Sequence, residues 1–202
     1  MLLKKTIALL SLAFLVVSAV VLSTAYKVGD TITDFKLKNV DDKLVSLSDY
    51  KDAKGYIIVF TCNHCPYAKA YEDRIIELQE KYGKQYPVIA INPNDATQYP
   101  EDSFENMKKR AEKKKYPFVY LSDDTQSVAH LFGASKTPHV YLVQKEGVKN
   151  VIKYIGAIDN NYQDAKAANE FYVATAISEL EAGKDISIKQ TKAIGCSIKW
   201  KE

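Results

Sequence analysis

The feature that most restricts the fold of this chain is an uninterrupted apolar run at residues 56–60, which an amphipathic helical pattern soon follows. A strand with apolar side chains on both faces needs cover on both faces, as in parallel sheets flanked by helices. Through residues 66–82 the apolar side chains recur on one helical stripe, at Ala68, Tyr71, Ile75, Leu78 and Tyr82. This strand and helix therefore predict an α/β fold.

The remaining segments alternate in the same way. A β-hairpin is expected across residues 35–47, where the polar sequence Asn-Val-Asp-Asp separates two apolar runs. Strands are predicted at residues 88–91, 118–121, 140–143 and 151–155, and helices at residues 103–115, 124–132 and 164–182. A Lys-Glu-Gly turn joins the last two strands, which should therefore pair antiparallel. The whole pattern predicts an α/β sandwich.

The amino terminus has the pattern of a secretory signal. Lys4 and Lys5 precede a long apolar stretch, and small residues at 23–25 fit the requirement of signal peptidase. We expect cleavage after Ala25; the alternative is an uncleaved membrane anchor, since ~17 apolar residues can span a bilayer. Either outcome places the rest of the chain in a periplasmic or other extracytoplasmic compartment, where thiols tend to be oxidised.

The composition restricts the class of protein and its partners. The chain has 202 residues, of which 47% are hydrophobic, enough for a core that needs no disulfide staples. Its three cysteines are too few for a disulfide scaffold. The net charge is only +3, so no nucleic-acid partner is expected.

The sequence Cys62-Asn63-His64-Cys65 joins the buried strand to the amphipathic helix. The strand brings Cys62 to the carboxyl edge of the sheet, where the positive end of the helix favours its thiolate. Cys65 can close a disulfide with Cys62 and release a mixed intermediate. An imidazole at His64 can donate a hydrogen bond or place positive charge near the thiolate. We therefore predict Cys62, Cys65 and His64 as catalytic residues.

Cysteines at this spacing also occur in structural disulfides and in metal sites. A closed zinc site would need two further ligands from distant parts of the chain. Copper(I) prefers soft thiolates, so a copper-binding or metallochaperone module using Cys62, Cys65 and either His64 or His139 is the alternative function. The redox interpretation is favoured, and it requires no metal and no cofactor other than a redox-active Cys62–Cys65 disulfide.

Several further motifs resemble the thioredoxin superfamily, specifically the redoxin branch (AhpC/TSA, peroxiredoxin-like) of exported bacterial thiol-disulfide oxidoreductases. They are Val-Gly-Asp at 28–30, Asp-Phe-Lys-Leu at 34–37, Val-Ser-Leu-Ser-Asp-Tyr at 45–50, Phe-Thr-Cys-Asn-His-Cys-Pro at 60–66 and Thr-Pro at 137–138. Separately, Gly-Cys-Ser-Ile-Lys-Trp at 195–200 resembles the C-terminal segment of a bacterial subgroup. The resemblance covers residues 28–183. It implies a thioredoxin-like fold whose central mixed β-sheet is flanked by helices, with an added N-terminal β-hairpin and a helical insertion at residues 94–116.

The resemblance also implies roles for individual residues. It makes Cys62 the nucleophile and Cys65 the resolving thiol, and it implies that a cis bond before Pro138 faces them. The backbone of Thr137 would pair with the substrate chain as a short strand. Tyr67 is a further candidate for the groove around Cys62.

The chain departs from this pattern in two ways. The strand at residues 56–60 contains no acid, so the buried carboxylate that often accepts a proton is not visible, and His64 or water is the expected substitute. Asp102 and its neighbouring acids are interpreted as favourable charges at the start of a solvated helix. The peroxiredoxin signature needs a Thr three residues before the reactive cysteine, where Val59 stands, so efficient peroxide reduction is not expected.

We divide the chain into a signal or anchor at residues 1–25, a redoxin domain at residues 26–183 and a tail at residues 184–202. The tail contains Cys196, a candidate relay thiol that would exchange with the first two cysteines. The sequence thus predicts an extracytoplasmic thiol-disulfide oxidoreductase. Its partners would be protein thiols or disulfides and a redox partner protein, and a thiol peroxidase is the second alternative.

Overall fold

The computed structural model describes residues 25–202. Their strands are β1 (Thr31–Ile32), β2 (Lys36–Asn39), β3 (Leu44–Ser46), β4 (Gly55–Phe60), β5 (Val88–Asn92), β6 (Val119–Ser122), β7 (Lys136–Thr137), β8 (His139–Glu146), β9 (Lys149–Gly156) and β10 (Cys196–Ser197). Their helices are α1 (Pro66–Tyr82), α2 (Phe104–Lys114), α3 (Ser127–Phe132) and α4 (Tyr172–Glu181). The signal or anchor expected at residues 1–25 lies almost wholly outside this range. Between residues 25 and 202, no helix has the length and hydropathy needed to cross a membrane.

A mixed sheet of eight strands in the order β1-β9-β8-β4-β5-β6-β2-β3 forms the centre of the fold. β4 pairs in parallel with β5, and β5 pairs in parallel with β6. β8 runs antiparallel to both β4 and β9. β2 and β3 form an N-terminal hairpin that extends the sheet beside β6. The predicted α/β class, the mixed sheet and the hairpin are therefore confirmed.

The two faces of β4 belong to two separate cores, because successive side chains of a strand point to opposite faces. Ile57 and Val59 pack with residues of α1, α2 and α4. Tyr56, Ile58 and Phe60 pack with residues of α3 and of the N-terminal strands. This double cover explains why the strand carries no polar residue.

Helix α1 has the bounds that its apolar stripe predicts, and Pro66 occupies its first turn, where a missing N–H costs nothing. The closing helix predicted at residues 164–182 is wrong in its first half, since α4 begins only at Tyr172. Polar side chains hold the preceding segment in turns: the Asn161 side-chain oxygen accepts the N–H of Asp164, and Asp164 accepts the N–H of Lys166. Such local hydrogen bonds compete with helix formation.

The insertion between β5 and β6 is attached to α1 through the buried carboxylate of Glu72. Arg110 of α2 donates two hydrogen bonds to this carboxylate, one of them 2.6 Å long, and the Tyr116 hydroxyl donates a third at 2.6 Å. A bidentate Arg–carboxylate pair has a defined geometry. It therefore holds the short 3-10 helix Pro100–Asp102, which precedes α2, near the start of α1.

The tail at residues 184–202 lies against the domain. Its strand β10 pairs antiparallel with β7, and Ile198 is buried in the core beneath α3. The Trp200 ring stacks on His130 with 4.2 Å between ring centroids. The C-terminal end of the chain is therefore docked close to the cysteines, on the residues that precede Pro138.

Candidate active site

The two cysteines of the Cys-Asn-His-Cys sequence lie at the junction of β4 and α1. Cys65 is the N-cap residue of α1. Cys62 is 4% exposed, whereas Cys65 is completely buried. Both form a small apolar cluster with Ala68, against which Tyr67 and Cys196 pack. All three cysteines are free thiols, and Cys62 is the one of the junction pair that reaches the surface.

Thr137 contacts both sulfurs of the junction. The peptide bond between Thr137 and Pro138 is cis, as the resemblance implies. The Thr137 hydroxyl oxygen is 3.2 Å from the Cys62 sulfur, and the Cys65 thiol donates a hydrogen bond of 3.3 Å to the Thr137 carbonyl. Thr137 thus closes the site on the side opposite α1.

The hydrogen bond between the two thiols dominates their protonation. This hydrogen bond, together with burial and the negative charge of Asp102, raises the pKa of Cys62. The same hydrogen bond lowers the pKa of Cys65 to about 4, although burial opposes this. The start of α1 acts on Cys65, since the backbone N–H of Ala68 also lowers its pKa. The backbone N–H of Cys65, at the same helix start, lowers the pKa of Cys62. The start of α1 therefore acts on both sulfurs, and the predicted thiolate at Cys62 stays a prediction.

Thr137 acts on this pair in the opposite direction. Its carbonyl accepts a hydrogen bond from the Cys65 thiol, which favours the proton on Cys65. Its hydroxyl lowers the pKa of Cys62 by hydrogen bonding to that sulfur. The shared proton therefore has a place on either sulfur, and the two thiols titrate as a pair. Access to the surface distinguishes Cys62 from the fully buried Cys65.

Asp102 supplies the buried carboxylate that β4 lacks. Its side chain is fully buried. It accepts hydrogen bonds from the Asn63 N–H at 2.7 Å and from the Asn94 amide at 2.8 Å, and His64 Nδ1 is 2.5 Å from its Oδ2 atom. The interpretation of Asp102 as a solvated helix charge is therefore wrong. The 3-10 helix before α2 turns this residue inward, and α2 begins only at Phe104.

His64 lies close to both Asp102 and the first cysteine. Its ring stacks on Tyr99 with 5.3 Å between ring centroids, and its side chain is 21% exposed. One ligand-type atom from each of Cys62, His64 and Asp102 lies within 4.8 Å of the other two. An imidazole that a carboxylate orients this close to a sulfur is a candidate proton carrier for that sulfur. A sequence signal for this arrangement is the polar Asn-Pro-Asn run at residues 92–94, which ends β5 at the same sheet edge.

The other predicted site residues divide into two groups. Tyr67 packs against the cysteine cluster, and its ring contacts that of Tyr162 at a tilt, with 4.4 Å between ring centroids. His139 is directed away from the sulfurs: its Nδ1 atom is 3.5 Å from the Ser135 nitrogen and 3.4 Å from the Tyr141 hydroxyl. Within residues 25–202, the group of three candidate metal ligands does not include His139. The copper hypothesis therefore loses this ligand.

A mixed central sheet, a dithiol at a strand–helix junction and a cis-proline beside the sulfurs define a thioredoxin-like protein. Comparison of the chain with known protein families and structures agrees with this class. The AhpC/TSA family model matches residues 28–154, and the chain belongs to this family. It is a redoxin of the thioredoxin superfamily and an oxidoreductase.

Three similar proteins show how far the likeness extends. The crystal structure of an uncharacterized conserved protein from Geobacillus kaustophilus is 39% identical, with a TM-score of 0.80 over 89% of this chain and 95% of that one. Thiol-disulfide oxidoreductase ResA of Geobacillus thermodenitrificans is 27% identical over 64% of this chain and 71% of its own length. Chloroplastic peroxiredoxin Q of Triticum aestivum is 29% identical over 70% of this chain, which spans 63% of that protein.

The substitution Asp102→Asn should lower the pKa of Cys62, because it removes a negative charge that raises this pKa. The measurement is the rate of iodoacetamide alkylation against pH, in a background where Cys62 is the only cysteine. The midpoint of the profile should fall by about one pH unit. The neighbouring exposed Glu101→Gln is the matched control and should leave the midpoint in place. An unchanged or higher midpoint for Asp102→Asn would contradict this electrostatic role.

The buried His139 should make the fold sensitive to acid. Burial lowers the pKa of His139 from 6.5 to about 4, so the unfolded chain binds a proton that the folded chain does not. The free energy of unfolding should therefore decrease as the pH falls through this window, by up to about 3 kcal/mol from this group. Urea unfolding between pH 6.5 and about pH 4 should show a smaller decrease in the free energy of unfolding for His139→Gln than for the wild-type protein. The exposed His130→Gln should keep the wild-type slope; equal slopes for all three proteins would refute the assignment.

Proposed function

We propose that the protein is an exported thiol-disulfide oxidoreductase that exchanges disulfides with protein substrates through Cys62 and Cys65. The observation that carries this proposal is the arrangement of the two free thiols. One reaches the surface, the other is buried behind it at a helix start, and Thr137 contacts both. The similarity to a thiol-disulfide oxidoreductase, ResA, supports the same chemistry.

In the first step Cys62 attacks a sulfur of a substrate disulfide. Its proton passes along the hydrogen bond to Cys65, whose thiol then donates to the Thr137 carbonyl. A bond forms between Cys62 and the attacked sulfur, the substrate disulfide breaks, and the displaced substrate sulfur leaves as a thiolate.

In the second step Cys65 resolves the mixed disulfide. The displaced substrate thiolate takes up the Cys65 proton, and the Cys65 sulfur attacks Cys62. The Cys62–Cys65 bond forms, the mixed disulfide breaks, and the second substrate sulfur is released as a thiolate that a proton from water neutralises. Two electrons have then moved from the enzyme dithiol to the substrate. The reverse sequence oxidises a substrate dithiol, and a redox partner protein sets the direction.

His64 and Asp102 serve the exchange of protons between the site and water. The Asp102 carboxylate accepts a hydrogen bond from His64 Nδ1, and this bond orients the imidazole ring. The partly exposed ring can exchange protons with water while Asp102 itself stays buried. This pair therefore takes the place of an acid on β4, and the exchange requires neither a metal nor an organic cofactor.

A metal-binding module is the second candidate function, because Cys62, His64 and Asp102 hold potential ligand atoms within 4.8 Å of one another. A carboxylate oxygen is a poor ligand for copper(I), which prefers sulfur. Two of the Asp102 hydrogen bonds, from Asn63 and Asn94, also leave little of its carboxylate free for an ion. Redox exchange therefore fits these residues better.

Export is part of the proposal and rests on the sequence of the first 25 residues. A positive region, an apolar stretch and small residues before the cleavage point form a signal pattern. In an oxidising compartment the exposed thiol would meet protein thiols and disulfides, which are the substrates that this site suits.

The substitution Cys65→Ser should trap substrates on the protein, because it leaves the Cys62 mixed disulfide without its resolving thiol. The trapped adducts are counted on non-reducing gels of cell-envelope extracts and identified by mass spectrometry. Cys62→Ser is the matched control and should trap little, since the remaining thiol of the pair is buried. Insulin reduction by either variant should fall to the rate of buffer alone.

Other outcomes of these assays favour the rival functions. If Cys62→Ser traps as well as Cys65→Ser, the two roles are reversed. Copper retained in stoichiometric amount after dialysis, together with no turnover of a dithiol substrate, would replace the proposal with metal binding. Peroxide consumption far above that of a free thiol would make the protein a peroxidase, although Val59 stands where the peroxiredoxin signature has Thr.

Export predicts a mature protein that begins at Tyr26. Amino-terminal sequencing of protein expressed from the full-length gene in a bacterial host, after separation of periplasm, membrane and cytoplasm, measures this directly. A chain that retains Met1 and sediments with membranes would show an anchor in place of a cleaved signal. A full-length chain in the cytoplasmic fraction would contradict export.

A further inference from the structure

The C-terminal tail covers the residue that contacts both active-site sulfurs. In β10, Cys196 lies opposite Thr137 and Ser197 lies opposite Lys136, in an antiparallel pair. Thr137 is therefore held on one side by the junction cysteines and on the other by the tail. The position of Cys196 follows from this register and not from chance proximity of a flexible end.

Gly195 shows how closely the tail approaches. A Cβ atom at this position would lie 2.2 Å from the Thr137 carbonyl oxygen and 3.1 Å from the Pro138 nitrogen. Both are backbone atoms, which cannot rotate away as a flexible side chain can. The φ of Gly195 lies outside the left-handed region, so its backbone conformation does not require glycine. Glycine is needed here because a side chain has no space.

The tail is also fixed beyond the cysteine. The Ile198 N–H donates a 3.2 Å hydrogen bond to the Ser135 carbonyl. The Lys199 N–H donates to the Asn94 side chain at 2.9 Å, and the Lys199 carbonyl accepts the Asp95 N–H at 2.9 Å. Since Asn94 also binds Asp102, the tail and the buried carboxylate share one support.

These contacts place all three cysteines in one cluster. Cys196 packs against the cluster of Cys62, Cys65 and Ala68. It lies opposite Thr137, whose carbonyl accepts a hydrogen bond from Cys65 and whose hydroxyl contacts Cys62. No other thiol occurs in the chain, so each of its three cysteines is in this cluster.

We propose that Cys196 is a third redox thiol, which converts the Cys62–Cys65 disulfide into a Cys65–Cys196 disulfide. The Cys196 thiolate attacks the Cys65 sulfur, the Cys65–Cys196 bond forms, and the Cys62–Cys65 bond breaks. Cys62 leaves as a thiolate and takes up the proton that Cys196 released. No electron is gained or lost overall, so no further oxidant is needed. The step rests on the proposed function, which supplies the first disulfide.

The surroundings of Cys196 favour this step only after Cys65 is oxidised. Burial raises the pKa of Cys196 to about 11, together with the hydrogen bond to Cys65 and the charge on Cys65. The last two causes vanish once Cys65 is part of a disulfide. Lys199 and Lys136 lower the same pKa, and their effect remains. Oxidation of the first pair thus makes the third thiol a better nucleophile.

The test is disulfide mapping of the full-length Cys62→Ser variant, equilibrated in mixtures of reduced and oxidised glutathione and then alkylated. Trypsin places Cys65 in the peptide 55–69 and Cys196 in the peptide 193–199, so their disulfide appears as a cross-linked pair. We expect this pair in Cys62→Ser, and both disulfides in the wild-type protein. A fully alkylated Cys196, or glutathione attached to Cys65 instead, would overturn the proposal.

A second variant keeps the test independent of the loss of Cys62. Gly195→Val should lift β10 from Thr137 and reduce the cross-linked fraction by about tenfold, as expected for overpacking against backbone. The Cys62–Cys65 disulfide should still form. Ser197→Ala, an exposed change in the same strand, is the matched control and should keep the cross-linked pair. An equal cross-linked fraction in the wild-type protein, Gly195→Val and Ser197→Ala would also overturn the proposal.

The two proposals fail in different ways. If the wild-type protein forms no Cys62–Cys65 disulfide at any glutathione ratio, the proposed function is wrong. If it forms that disulfide while Cys62→Ser leaves Cys196 free, only the role of Cys196 is wrong.

Discussion

The contacts of Thr137 with the cysteines are the interaction on which the site depends. Its hydroxyl faces the Cys62 sulfur, its carbonyl accepts from Cys65, and its backbone lies opposite Cys196. Residues from the first third and from the end of the chain therefore meet at one buried residue, Thr137. The cis bond to Pro138 belongs to the same short segment, directly before β8. A change that moves this segment would alter all three sulfurs together.

Charge at the site is controlled by groups that lie far apart in the chain. Asp102 raises the pKa of Cys62 from within the insertion, and the insertion is held on α1 by Glu72 and Arg110. The Asp102 carboxylate itself is held by Asn63 and Asn94. His64 connects the insertion to the junction, because it is adjacent to Cys65 in sequence and hydrogen bonded to Asp102. The pKa of Cys62 is therefore a property of the insertion as much as of the Cys-Asn-His-Cys sequence.

Local patterns predicted the elements that depend on local physics. The bounds of α1 follow from its apolar stripe and from Pro66, and the hairpin follows from two apolar runs around a polar turn. The cis-proline and the mixed sheet were expected from the resemblance. The incorrect expectations have two causes. Local side-chain hydrogen bonds delay the start of α4, and tertiary contacts change the role of Asp102. Asp102 has the neighbours of a helix start, and only its burial beside Cys62 and His64 shows another role.

By itself, the sequence determined the α/β class, the strand–helix junction that carries the dithiol, and the two cysteines available for exchange. Periodicity and residue order encode these features, since they involve neighbours within about two turns or one strand. Only the tertiary structure decided which of the two junction sulfurs reaches the surface, which acid lies beside it, and that Cys196 joins the other two thiols. Those outcomes depend on burial and on distances between segments that lie up to the length of the domain apart in sequence. A local pattern of side chains contains no information on the distance between two such segments.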